Sequence, residues 1–212
     1  MLATPHLLEF VILAYLLVLI PGPNVLFVVG RALQLGRLAG IAAVIGGQTG
    51  VYAQVVAVAF GVGALVERSV EIFACIRLAG AAYLIYLGVQ AIRQRKALAG
   101  LLEGTVPARS TGEMVRHGFV VGITNPKAMV FFAAVLPQFV NRAAGHVPLQ
   151  LLTLGGIFVG IAFISDSMWA IAAGTARLWF TRSPRRLELI GGASGVIMIG
   201  IGASLALTGG RD

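Results

Sequence analysis

Six long apolar stretches dominate the chain, at about 7–30, 39–64, 72–92, 114–140, 149–179 and 188–208. Each reaches the ~20 residues needed to cross a hydrocarbon core of roughly 30 Å. Backbone amides find no water in that core, so such stretches fold as helices that satisfy their own hydrogen bonds. The sequence therefore predicts an all-α membrane protein with six transmembrane helices, embedded in the lipid bilayer. Composition agrees: 58% of the residues are hydrophobic and 11% are charged, whereas soluble domains carry about 25% charged residues. The net charge of +8 does not point to nucleic acid. The basic residues lie in short connections, and no basic stripe with interleaved aromatics occurs.

The N-terminus, MLATPHLLEF, lacks the basic start of a signal peptide. The first stretch is expected to be a retained transmembrane helix. Pro5 and Pro148 fall where a first helical turn accepts proline. The single cysteine, Cys75, excludes an internal disulfide and a multi-cysteine zinc site, and is expected to be a small buried hydrophobe. His6, His117 and His146 lie far apart at stretch ends and predict no metal site.

Lys and Arg are unevenly distributed. Eleven of the 16 occupy the first, third and fifth connections, among them Arg31, Arg37, Arg93, Arg95, Lys96, Arg182 and Arg185. The positive-inside rule then places these loops in the cytoplasm and both termini outside. The longest polar connection, about 94–113, divides a single transmembrane domain (1–212) into half-repeats of about 1–93 and 114–208. Three helices per half is an odd number, so homologous halves must lie inverted. RLAGAAYLIYLGVQA (77–91) and LIGGASGVIMIGIGA (189–203) match weakly at a constant offset, as Gly80 with Gly192 and Gly88 with Gly200. Inverted repeats place substrate near the midplane, beside helices interrupted at matching positions.

Two interruptions are visible. In LIPGPNVLFVVGRA (19–32), Pro21 and Pro23 lack amide hydrogens and release the carbonyls of Leu17 and Leu19. Gly22 between them widens the accessible backbone angles, and Asn24 follows with a polar side chain. In TNPKAMVFFAAVLPQF (124–139), Asn125, Pro126 and Lys127 repeat the device, and Pro126 releases the carbonyl of Gly122. Unsatisfied backbone at membrane depth is tolerated only inside protein or beside a wet cavity. A kink satisfied by neighbouring helices is the plainer alternative for each.

Lys127 lies about 15 Å in from the end of its stretch, at 1.5 Å per helical residue, too deep to snorkel easily. It calls for an ion pair or a functional role. Asp166, in FISDSMW, is the acid nearest the middle of any stretch. It is either a proton or substrate group or the partner of a static salt bridge to Lys127. In GGQTGVYAQ (46–54), the i, i+4 spacing places Gln48 and Tyr52 on one face, as cavity lining or as an interhelical hydrogen-bonding pair. Small residues recur four apart, as Gly36/Gly40, Gly46/Gly50, Gly118/Gly122, Gly156/Gly160 and Gly191/Gly195. Such pairs let helices approach closely, and serve folding or a homo-oligomer alike.

PGPNVLFVVGRALQLGRLAG (21–40), GGQTGVYAQVVAVAFGVGALVERS (46–69), RLAGAAYLIYLGVQAIR (77–93), TNPKAMVFFAAVLPQF (124–139) and the Asp166 segment together resemble the lysine-exporter (LysE) superfamily, in its homoserine/threonine (RhtB) branch. The resemblance covers essentially the whole chain. It implies a six-helix exporter of amino acids or their derivatives in a bacterial inner membrane, built from inverted three-helix halves and driven by protons, with no cofactor. Pro21, Gly22, Pro23, Asn24, Gln48, Tyr52, Asn125, Pro126 and Lys127 are then candidates for the substrate site, and Asp166 for proton coupling. Some relatives of this type have histidine where this chain has Gln54, so a titratable group is absent there. A membrane enzyme and a non-transporting assembly subunit are the alternatives. The first needs a nucleophile with a base or a metal cluster, and the sequence displays neither. It also lacks a phosphate-binding loop for an ATP motor.

Overall fold

The computed structural model describes residues 4–66, 70–93 and 110–175, with scattered helical positions between 189 and 207. The sixth stretch at 188–208, most of the 94–113 connection, the basic fifth connection and the Gly191/Gly195 pair lie outside the described residues.

Helix α1 (Thr4–Leu19) and helix α2 (Pro23–Leu35) are separated by the Pro-Gly-Pro interruption and bend by 48° across it. Gly36 ends α2 with φ 91°, a backbone angle that favours glycine, and donates its N–H back to the carbonyl of Ala32 at 3.0 Å. Helices α3 (Arg37–Val66) and α4 (Val70–Arg93) follow. Ser110 and Glu113 start helix α5 (Thr111–Ile123) with a reciprocal capping box, at 3.2 Å and 3.0 Å.

A break after Ile123 leads to the short helix α6 (Pro126–Val130). This runs into a π turn at Phe131–Val135 and a 3-10 turn at Leu136–Phe139, so Pro137 stands in irregular backbone where its missing N–H matters least. The bend across this second interruption is 42°. After a 3-10 turn at Arg142–Ala144, helix α7 (Val147–Thr175) begins with Pro148 in its first turn and crosses unbroken.

Every described element is helical, and the chain is an all-α membrane protein. Arg37–Gly61 and Val147–Thr175 are each long and apolar enough to cross a bilayer, and each bent pair makes a further crossing when taken as one span. The exposed side chains support this, because Leu8, Ile12, Leu16, Ile164, Met168 and Ile171 face outward, where hydrocarbon is the solvent. Cys75 also faces outward. The expected burial is corrected: a small apolar side chain is as much at home in lipid as in a core.

Helices α3 and α5 form the tightest interface. A Cβ on Gly46 would land on the carbonyl of Val115, and one on Gly50 on that of Phe119. From the other side, Gly118 lies against the carbonyl of Ala43 and Gly122 against that of Gly47. The two small-residue pairs therefore face each other within one chain, backbone on backbone. Gly36 caps a helix instead, and Gly160 has open space around its Cβ position. Beyond this seam, Phe131 and Phe158 stack at 4.9 Å, and Phe132 meets Phe158 edge-on at 5.0 Å. Such pairs add about 1 kcal/mol beyond their area and join the irregular segment to α7.

Candidate functional site

Pro21 has no N–H to give the carbonyl of Leu17, and the chain leaves helical geometry at Ile20. At the end of α1, Leu17 O keeps only a long bond from the N–H of Ile20, at 3.3 Å, and Ile20 O has no backbone donor. The ammonium of Lys127 supplies them, donating to Leu17 O at 3.1 Å and to Ile20 O at 2.7 Å. Release of the Leu17 carbonyl is as expected from the sequence. The second acceptor is Ile20 rather than Leu19, because α1 stops at Leu19 before the four-residue register reaches Pro23. Lys127 is 6% exposed and does not snorkel. Gly22 makes the approach feasible: a Cβ there would lie 3.0 Å from Lys127 Cε and 3.2 Å from Nζ.

The second break is closed from the opposite direction. Gln54, on α3, is buried, and its Nε2 approaches three carbonyls, Gly122 O at 3.1 Å, Ile123 O at 2.7 Å and Asn125 O at 3.2 Å. The first is the carbonyl released by Pro126. Asn125 caps α6 itself, its Oδ1 accepting from the N–H of Lys127 at 3.1 Å. A side chain from the second half thus closes the first break, and one from the first half closes the second.

Asp166 lies between the breaks, 2% exposed. Its Oδ2 accepts from Asn24 Nδ2 at 2.9 Å and from Gln48 Nε2 at 2.8 Å. Lys127 makes no salt bridge to it, which was the alternative for Asp166: the ammonium donates to carbonyls instead. Asn24 stands in the first turn of α2, so the carboxylate is held at the end of that helix where negative charge is favoured. Gly47 gives Asn24 its space, since a Cβ there would lie 2.5 Å from Asn24 Oδ1. Asn24 Oδ1 and Gln48 Oε1 are buried without hydrogen-bond partners. Two acceptors therefore stand unpaired beside a carboxylate, a costly arrangement unless a donor joins them.

Gly22, Asn24, Gln48, Asn125, Lys127 and Asp166 line one cavity of about 30 Å³. That space admits water but is too small for an amino acid. A larger groove of about 480 Å³ runs between α1 and α7, but its lining of Tyr15, Leu19, Ile161, Ile164, Met168 and Trp169 is apolar. Tyr52 lines neither and is 37% exposed; like Gln48 it faces α7, its ring 4.0 Å from a Cβ on Gly156, without reaching the small cavity. Pro21 and Pro126 are half-buried and Pro23 is exposed; they shape the backbone and line neither of these cavities. The sequence gave no sign that Gln54 would close a break or that Gly47 would seat Asn24. Gln54 stood out only as a departure from a pattern.

A family model described as LysE type translocator matches residues 15–209. The chain belongs to the LysE type translocator family. An uncharacterized membrane protein of Vibrio cholerae is 34% identical over 94% of this chain and 95% of its own length. A homoserine/homoserine lactone efflux protein of Salmonella typhimurium is 30% identical, over 93% of this chain and 94% of its own. A leucine efflux protein of Enterobacter sp. (strain 638) is 29% identical over 93% of each. No solved structure matches. LysE-type proteins are translocators rather than enzymes.

Proposed function

We propose that this translocator is a secondary active exporter of amino acids or amino-acid derivatives of the homoserine, threonine or neutral type. It works by alternating access between two inverted halves, in exchange for protons. The names of the relatives support the substrate class. The observation that carries the mechanism is Asp166, buried at the meeting point of both breaks and held by Asn24 and Gln48.

A substrate ammonium offers three N–H donors. Asp166 together with the unpaired Asn24 Oδ1 and Gln48 Oε1 offers matching acceptors. A proton arriving on the carboxyl removes its charge, weakens its hold on the ammonium and lets the substrate leave. Proton and substrate then compete for one group, which is what exchange requires. Lys127 balances the charge of Asp166 across the cavity while the ends of the broken helices receive the remainder of the substrate. The cavity is too small for an amino acid in this structure, so export requires the halves to part on one side at a time. The loop charges favour a bacterial inner membrane with both termini periplasmic.

The test is counterflow of homoserine and leucine in proteoliposomes carrying wild type and Asp166→Asn. The asparagine keeps the shape and loses the charge. Proton-gradient-driven transport is expected to fall by about tenfold or more, the scale of a coupling free energy near 1.4 kcal/mol. Undiminished proton-driven transport in that variant would exclude the coupling role.

A further inference from the structure

We propose that Lys127 is the resident cation of a monovalent-cation site built by the end of α1, and that this tethered ammonium makes transport independent of sodium. The site has the parts that transporters use for a bound alkali cation: carbonyls released at the C-terminal end of an interrupted helix, at membrane depth, with a carboxylate nearby. Carbonyl oxygens replace a cation's water shell. Here Leu17 O and Ile20 O meet Lys127 Nζ at 3.1 Å and 2.7 Å. Gly22 leaves room for the ammonium, since a Cβ there would press on both Cε and Nζ. Asp166 and Lys127 are the two charged residues lining the same cavity. The lysine therefore does for this break what a free cation would do, and arrives on a covalent tether.

Removing the lysine should leave Ile20 O unpaired, Leu17 O with only its long bond from Ile20 N–H, and a carboxylate without its counter-charge. Such a pocket attracts a small cation from solution. The carboxylate is essential to that attraction, because the carbonyls alone carry no net charge.

Thermal unfolding of the purified protein tests this without any transport measurement. Wild type, Lys127→Ala and the double variant Lys127→Ala with Asp166→Asn are compared in choline, sodium and potassium chlorides. Wild type is expected to unfold at one temperature in all three, within about 1 °C. Lys127→Ala is expected to gain about 3 °C or more in sodium or potassium over choline, as a ligand bound only by the folded state requires. The double variant should lose most of that gain. Equal midpoints for Lys127→Ala in the three salts overturn the proposal. So does a sodium shift in wild type as large as that expected of the variant, and this measurement stands even where the variant does not survive purification. A second measurement rests on the export reading: homoserine counterflow by wild type should agree within about twofold between sodium and choline. A larger loss without sodium overturns the independence, whereas counterflow absent in both salts counts against export and leaves the thermal result standing.

Discussion

At the first break an ammonium reaches across from the second half of the chain; at the second, an amide reaches across from the first. Lys127 brings a full charge to two carbonyls beside the cavity. Gln54 brings a neutral donor to three carbonyls and stands outside the cavity lining. The first break has no side-chain cap, since Gly22 precedes α2, whereas Asn125 caps α6. The first interruption is therefore filled by a charged side chain and the second by a neutral one, although Asn125 of the second also lines the cavity. Similar backbone breaks have been given different duties by the side chains that fill them.

The comparison predicts unequal damage when each filling side chain is removed. Lys127→Met is expected to abolish homoserine counterflow, because it strands Ile20 O and leaves Asp166 without its counter-charge. Gln54→Met removes the donor that three carbonyls share; Gly122 O and Asn125 O keep bonds from the N–H groups of Asn125 and Met129, both at 3.1 Å, so Ile123 O is the one stranded. The substitution should lower stability by about 2 kcal/mol, within the range for unsatisfied buried acceptors, while retaining measurable counterflow in the protein that folds. Equal loss of transport per folded molecule in the two variants would erase the distinction. Next in size is Pro21→Ala, which restores an N–H that can return to Leu17 O and compete with Lys127. Transport should fall several-fold while the folded yield holds or rises, since the helix gains about 3 kcal/mol of intrinsic preference. Wild-type rates in this variant would show that the break itself is dispensable. The smallest effect belongs to Tyr52→Phe. Exposed and away from the cavity, it should leave counterflow within about twofold of wild type, a change worth under 0.5 kcal/mol.

The breaks were legible because proline and glycine act locally: a missing N–H releases a definite carbonyl, and Leu17 and Gly122 could be named from the sequence. The isolation of Asp166 in an apolar stretch was legible for the same reason, since a carboxylate at that depth is costly wherever it points. The partners were not. Gln54 lies 68 residues from Gly122, and Asn24 lies 142 from Asp166. No local rule pairs residues at such separations. Lys127 and Asp166 were the natural ion pair on charge alone, and the structure separates them because the released carbonyls compete for the ammonium. Gln48 and Tyr52 both face α7, but the i, i+4 rule does not decide which of the two reaches the cavity.

The reciprocal closure has a consequence for synthesis of the chain. Leu17 enters the membrane 110 residues ahead of the lysine that will satisfy it. At about 5–20 residues per second, the first interruption waits on the order of ten seconds without that donor. The second meets a waiting Gln54 as soon as it is made. The arrival of the 122–127 segment supplies both breaks with their donors, while α7 and Asp166 have still to follow. A chain cut short of that segment leaves Ile20 O without its donor.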